Sequence, residues 1–163
     1  MFFALMPIST SVFSQQVGCD FDAGFRAFDF WAGEWDVIDN VTGNHSGTNT
    51  IQKMENGCML MESWVSSRGS TGTSVNYYNP LTKQWRQLWI SEGRYSIDIV
   101  GNIEDGAMVL EGSIYYFQGS IAKFRGRWSQ NDDGSVRQMF EQHDSETDSW
   151  NVWADLNYVR TEN

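Results

Sequence analysis

Hydrophobic and polar residues alternate in short runs along most of the chain after Cys19, and a cluster of turn-forming residues follows each run. Alternation with a period of two is typical of a β-strand that buries one face. Ten runs are predicted to be strands, and they cover residues 34–39, 47–55, 58–66, 73–78, 84–90, 95–101, 108–111, 121–129, 135–143 and 149–160. The connections between them are too short for a crossover helix, so the sequence predicts an antiparallel meander.

Ten strands of mixed polarity either stack as two sheets or close into a barrel. Closure removes the exposed edges, and a barrel of this size can hold one small ligand. We therefore predict an all-β fold in which an antiparallel meander of about ten strands closes into a barrel, with residues 17–163 forming a single domain. The one helical segment predicted is a short turn within residues 24–31, before the first strand.

The stretch FDFWAGEWDV, which starts at Phe28, holds four aromatic residues around one glycine. We expect Phe28, Phe30 and Trp31 to plug one end of the barrel, because large rings bury much apolar area. Gly33 would let the backbone swing into the first strand. Trp35 and its alternate neighbours then share one face of that strand. The alternative is that Trp31 and Trp35 line a ligand pocket.

Composition narrows the class of protein. The 163 residues include eight Trp, ten Phe and six Tyr but only two Pro, a balance that suits β structure. The formal net charge is −10. An acidic surface repels phosphate groups, so nucleic acid and anionic membrane surfaces are poor partners.

Residues 1–16 carry no charged side chain and contain an apolar run from Phe2 to Phe13. This run resembles a secretory signal peptide without its basic n-region, which predicts a periplasmic or secreted protein. It is too short, and too interrupted by Pro7, to span a membrane. The alternative is an apolar N-terminal arm packed on the domain.

Cys19 and Cys58 are the two cysteines of the chain. In an exported protein they would pair and pin the N-terminal segment to the barrel. Otherwise they are two buried free thiols. No CxxC, HxxxH or HxH spacing occurs, so the sequence predicts no metal site.

A series of short motifs follows in order along the chain. They are FDFWAGEWDV, Gly57-Cys58, Glu62-Ser63-Trp64, Gly72-Thr73-Ser74, Tyr77-Tyr78-Asn79, Gln84-Trp85-Arg86-Gln87-Leu88-Trp89, Gly106-Ala107-Met108-Val109-Leu110-Glu111-Gly112, Arg127-Trp128-Ser129, Asp133-Gly134-Ser135-Val136-Arg137-Gln138, Trp150 and Tyr158-Val159-Arg160. With this set, nearly all of residues 28–160 resembles a family of small bacterial proteins, the domain-of-unknown-function family 1579 and its relatives. The resemblance implies a lipocalin-like (calycin) β-barrel, often behind a signal peptide, and no established reaction. One departure is His143, where relatives usually carry a small polar residue.

Alternate residues of a barrel strand face the lumen, and one choice of faces gives an aromatic lumen with a few polar groups. Small-molecule sites have that character. The predicted ligand-binding residues are Glu62, Trp64, Trp85, Gln87, Trp89, Arg127, Gln138 and Phe140. The opposite face is equally regular, but it carries Arg86 and Arg137, which are easier to solvate than to bury.

Glu62 and Arg127 are the opposite charges of this predicted lumen, where they would anchor the polar part of a small, partly apolar ligand. In one alternative they form a buried ion pair that specifies strand register, with no ligand. In another, Glu62 is the general acid or base of a lyase, isomerase or cyclase acting on a bound hydrophobic molecule. The strand that holds Arg127 also allows Phe124, Gly126 and Trp128 to face inward instead.

Three classes of function therefore stand: a small-molecule-binding barrel, which we favour, an enzyme that uses Glu62, and a structural or interaction barrel with a filled lumen. A cavity on the order of several hundred Å³ would favour binding, and a solid lumen would favour the third class. No cofactor is expected. His143 would ligate a haem iron if it faced the lumen, but its alternation with Arg137 and Met139 places it outside.

Overall fold

The structure is a computed structural model that describes residues 18–161. Three short 3-10 segments come first, Cys19–Phe21, Ala23–Arg26 and Asp29–Trp31, and a further one, Glu55–Gly57, lies between the second and third strands. The strands are β1 (Gly33–Asp39), β2 (His45–Met54), β3 (Met59–Ser66), β4 (Thr71–Asn79), β5 (Gln84–Ser91), β6 (Tyr95–Glu104), β7 (Ala107–Tyr116), β8 (Ser120–Gln130), β9 (Val136–Asp144) and β10 (Ser149–Arg160). Residues 1–16, and with them the predicted signal segment, lie outside the described residues.

Each strand pairs antiparallel with the next, and β1 pairs with β10 to close the barrel. The predicted all-β fold, an antiparallel meander closed into a barrel, is therefore confirmed. All ten predicted strands are present, and β7 is longer than predicted because the prediction stopped before Gly112. A Cβ atom at Gly112 would lie 2.2 Å from the Asp98 carbonyl oxygen. Glycine at this position therefore marks a close contact between strands and not the end of a strand.

The segment that precedes β1 closes the end of the barrel at which β1 starts, and we call this the closed end. Phe28 and Trp31 are fully buried, and their rings stack with centroids 4.9 Å apart. Phe28 also packs edge-on against Trp85 and Trp128. The predicted plug is thus present, although Phe30 is only partly buried and packs on its margin.

Gly33 lies where the plug meets β1. Its φ of 145° is unfavourable for residues that carry a Cβ atom. A Cβ atom there would begin 1.7 Å from Nη1 of Arg160. The Arg160 guanidinium occupies this space because it lies 3.8 Å from the ring centre of Trp35 and donates to the Ala32 carbonyl oxygen at 2.9 Å. The aromatic and charged residues around Gly33 therefore form one packed junction that joins the plug to both ends of the meander.

A disulfide holds the plug to the barrel. Cys19, at the start of the first 3-10 segment, is bonded to Cys58, just before β3, with Cα atoms 5.0 Å apart. Ion pairs add to this link, since Lys53 contacts Asp29 and Lys83 contacts Asp22. The pairing that the sequence predicts for an exported chain is present in the structure.

Candidate functional site

A cavity of about 180 Å³ occupies the half of the lumen away from the plug, which we call the open half. It lies toward the ends of β3 and β5 and the start of β6, where Trp64 and Tyr95 are partly exposed. Six of the eight predicted site residues line it: Glu62, Trp64, Gln87, Trp89, Gln138 and Phe140. The structure therefore brings together most of the predicted ligand-binding residues.

Large apolar side chains form the walls of the cavity, and they come from five strands. They are Trp64, Trp89, Tyr95, Ile97, Phe140, Trp153 and Leu156. Glycine on a neighbouring strand makes room for one of these rings, because a Cβ atom at Gly72 would lie 2.2 Å from Cζ2 of Trp89. Gly126 does the same for Phe140, at 2.5 Å from Cε1. The backbone thus approaches the rings closely enough to fix their positions.

The floor of the cavity is polar and centres on Glu62, which is 3% exposed. Its Oε2 accepts a hydrogen bond from the Ser74 hydroxyl at 2.5 Å, and its Oε1 accepts one from Nδ2 of Asn49 at 2.7 Å. Both donors are neutral, and no Lys, Arg or His of the described chain forms an ion pair with Glu62. The carboxyl group is therefore hydrogen-bonded but not charge-compensated.

The hydrogen bonds extend from Glu62 across the lumen in both directions. On one side Gln87 donates to Oδ1 of Asn76 at 2.8 Å, and Asn76 donates to the Ser74 hydroxyl at 2.7 Å. On the other side Asn49 Nδ2 lies 3.2 Å from the Tyr158 hydroxyl, which donates to Oε1 of Gln138 at 2.8 Å. This network holds the floor rigid, because each member orients the next.

Burial raises the pKa of Glu62 from its ordinary value of 4.5 to about 7, and the hydrogen bonds from Ser74 and Asn49 oppose that rise. Burial likewise raises the pKa of Tyr158 well above 10, with a smaller contribution from the nearby Glu62 charge. Burial also raises the pKa of Tyr95. Near neutral pH, Glu62 is the one group of the floor whose protonation changes with a small change in pH.

Two polar atoms near the cavity lack partners. Among the residues that the structure describes, Nε1 of Trp89 and Oδ1 of Asn49 are buried without a hydrogen bond. An unpaired buried polar atom costs free energy, and Trp89 lines the cavity. This indole N–H lowers the pKa of Tyr95 slightly against the larger effect of burial, but it forms no hydrogen bond of normal geometry, so it is a donor available to a bound molecule.

The prediction that Arg127 faces the lumen is wrong. On β8 the inward positions belong to Phe124, Gly126 and Trp128, all buried, and Arg127 lies on the outer face between Val109 and Met139 of the adjacent strands. Alternation also allows the face of β8 that carries Phe124 and Trp128 to point inward. This arrangement is more stable because apolar rings are buried at lower cost than a guanidinium group. Glu62 and Arg127 therefore form neither a ligand anchor nor an ion pair.

Trp85 has the predicted face but the wrong depth. It is 1% exposed, packs against Phe28 and Tyr78, and donates from Nε1 to the Gly24 carbonyl oxygen at 3.0 Å. Trp85 thus belongs to the closed end. Trp31 and Trp35, considered as pocket residues in the alternative interpretation, lie there as well, and Trp35 donates to the Trp31 carbonyl oxygen at 2.9 Å.

Sequence reasoning missed several lining residues, of which Trp153 is the most informative. The pairing of β10 with β9 shifts between Val152 and Ala154, so one extra residue changes which side chains face inward. Trp153 contacts the Tyr95 ring at 5.4 Å between centroids. Tyr95 and Ile97, by contrast, follow plain alternation on β6, which would have identified them.

His143 does not line the cavity. Its ring lies edge-on against Trp150 with centroids 5.2 Å apart, and Nε2 is 3.1 Å from Oδ1 of Asp148. Within residues 18–161 there is no group of three or more His, Cys, Asp or Glu side chains arranged to hold a metal ion. No helix in this described part is long and apolar enough to cross a membrane.

Comparison of the sequence with models of known protein families finds no match, and comparison with curated proteins finds none. The cavity and its residues are therefore the features of the molecule that bear on its function.

Proposed function

We propose that the barrel binds a small, partly apolar molecule in the open half of its lumen. The observation that carries this proposal is the cavity of about 180 Å³, with aromatic walls and a polar floor, inside a lumen whose other half is solidly packed. Apolar walls with a few convergent polar groups are typical of small-molecule sites.

The size of the cavity limits the ligand. Pockets for drug-sized molecules measure about 300–1,000 Å³, so this cavity is smaller than the pocket of a typical drug-sized ligand. An apolar cavity of about 150 Å³ nevertheless binds benzene. The expected ligand is therefore about as large as a substituted benzene ring.

Isothermal titration calorimetry with benzyl alcohol, a neutral probe of that size, tests the proposal. Leu156→Trp would fill the cavity, because Leu156 lines it, whereas Val159→Trp adds the same ring on an exposed position of the same strand. Binding to the wild type and to Val159→Trp, but not to Leu156→Trp, is the expected result. No binding to the wild type, or equal binding to all three proteins, would contradict the proposal. Native mass spectrometry of protein from its own source would then identify the ligand that travels with it.

An enzyme is the second candidate, and the buried Glu62 carboxyl favours it. A general acid or base works best when its pKa is near the working pH, and Glu62 meets this condition with a pKa of about 7. The carboxylate would take a proton from a carbon acid in the cavity and return it. Acetophenone in D2O provides a test, since exchange of its methyl protons is visible by NMR. Exchange that the wild type accelerates and Glu62→Gln does not would support the enzyme, and equal rates would contradict it.

We also propose that the protein works in an oxidising compartment, periplasmic or extracellular. The Cys19–Cys58 disulfide supports this, since such bonds persist mainly in exported proteins. Protein from the native host should begin near Gln15 when sequenced from its N-terminus. A chain that retains Met1 in a cytosolic fraction would contradict export. Lipocalin-like character and membership of family 1579 stay predictions from the sequence motifs.

A further inference from the structure

The cavity combines aromatic walls with a single acidic group. Trp64, Trp89, Tyr95, Phe140 and Trp153 surround it, and Glu62 lies on its floor. Aromatic rings carry negative charge on their faces and attract cations, an effect that grows when the cation leaves water. The walls therefore favour a positive charge over a negative one.

The charges of the cavity point the same way. Glu62 is the only ionisable carboxyl among its lining residues, and no Lys, Arg or His of the described chain lines it. Both Glu62 oxygens accept one hydrogen bond from a neutral donor, and each ionised oxygen has a second lone pair for another. The cavity offers no positive charge to an anionic ligand. A cationic ligand, in contrast, would supply the counter-charge that the Glu62 carboxylate lacks.

We propose that the ligand of this cavity is a small organic cation, an alkylated ammonium whose charged head lies beside Glu62 and between the aromatic side chains. This inference rests on the proposed small-molecule function and names its chemical class. The net charge of −10 attracts cations toward the protein. The unpaired Nε1 of Trp89 would donate to a hydroxyl or carbonyl oxygen on the neutral end of such a ligand.

Cation binding should depend on pH through a single proton, the one on the Glu62 carboxyl group. The cation prefers ionised Glu62, so affinity rises as this group deprotonates through its pKa of about 7. The other titratable groups that face Glu62 are the hydroxyls of Tyr158 on β10 and Tyr95 on β6. Both have raised pKa values and stay neutral. The remaining floor groups, from β2, β4, β5 and β9, are amides and a serine hydroxyl, which do not titrate in this range. Affinity should therefore fall about tenfold from about pH 8 to about pH 6.

The test compares choline with 3,3-dimethylbutan-1-ol, its neutral isostere, by isothermal titration calorimetry. We expect choline to bind the wild type at least about tenfold more tightly at about pH 8 and to lose about tenfold in affinity by about pH 6. The neutral isostere should show no change with pH. Glu62→Gln should keep only the small preference for choline that the aromatic walls supply, and this preference should not change with pH. Glu111→Gln, which removes a charge from an exposed position on β7, should behave like the wild type.

The outcomes separate this inference from the proposed function. If the neutral isostere or benzyl alcohol binds as tightly as choline, without pH dependence, the cation inference is overturned and small-molecule binding stands. If none of the three probes binds the wild type, both fall. Should Glu62→Gln not fold, the pH series on the wild type still decides the question. Trp64→Leu is then a second test variant, and it must lower the affinity for choline more than the affinity for the isostere.

Discussion

Tryptophan fills the core in one half of the lumen and lines a cavity in the other. In the closed half, Trp31, Trp85 and Trp128 are at most 1% exposed and pack around Phe28. In the open half, Trp64, Trp89 and Trp153 border a cavity. The difference comes from the N-terminal segment, which inserts its rings at one end only. Dense packing at that end supplies stability that the open half does not need to provide, because cavities and buried polar groups cost free energy.

Trp31→Ala should produce the largest effect that separates the two halves. It removes a ring from the solid plug and should lower the free energy of unfolding by about 4 kcal/mol, the cost of a large core cavity. Trp64→Ala removes a partly exposed ring beside an existing cavity and should cost about 1 kcal/mol while abolishing ligand binding. Urea denaturation followed by circular dichroism measures both. Equal losses would show that the two halves do not differ in packing.

Glu62 should make the stability of the open half depend on pH. Its pKa rises on folding from 4.5 to about 7, so the folded protein holds this proton more tightly than the unfolded chain. The bound proton contributes its full stabilisation below about pH 4.5, and this contribution is lost as pH rises through about 7. The free energy of unfolding falls by about 3 kcal/mol in total. Glu62→Gln should remove this slope and exceed the wild type in stability at about pH 8. Denaturation of both proteins at several pH values checks this, and parallel curves would contradict it.

Gly72→Ala should disturb the open half through the position of Trp89. The new methyl group would overlap that ring, which must move, so we expect a loss of about 2 kcal/mol together with weaker ligand binding. Gly18→Ala is the matched control, because its φ of −68° suits alanine and its nearest neighbour would be 3.5 Å away. Thermal melting and calorimetry of both variants give the comparison. A Gly72→Ala protein that melts and binds like the control would show that the Trp89 ring is not held in place.

Arg127→Met should have the smallest effect. Arg127 is on the outer face of β8, so its replacement should change the free energy of unfolding by less than about 0.5 kcal/mol and leave ligand binding unaltered. Melting at about pH 5 and about pH 8, with a binding titration, tests this. Lost binding would return Arg127 to the lumen and contradict the strand face described above.

The sequence predicts the barrel well because turn signals mark every strand boundary. Asn56-Gly57, for example, is a residue pair typical of turns with positive φ, and the two residues have φ values of 54° and 82°. Alternation also predicts most of the cavity, since Glu62 and Trp64, or Gln87 and Trp89, must share a face.

The errors have three physical sources. Alternation does not reveal depth along a strand, so it does not distinguish Trp85, which the plug covers, from Trp89, which lines the cavity. It also does not choose between two regular faces, or detect an added residue. The choice between two regular faces accounts for Arg127, and the added residue in β10 accounts for Trp153. Both are decided by tertiary packing, which a single strand does not encode.

Closure of the barrel has a consequence for the order of folding. Trp35 on β1 lies opposite Arg160 on β10, whereas every other strand pairs with a neighbour in sequence. Contacts between distant residues cost loop entropy and slow folding. A growing chain that lacks β10 therefore exposes two unpaired strand edges, which are templates for aggregation. The last strand of the meander is the one that protects the first, so the loss of only the few β10 residues that pair with β1 would leave the whole meander open.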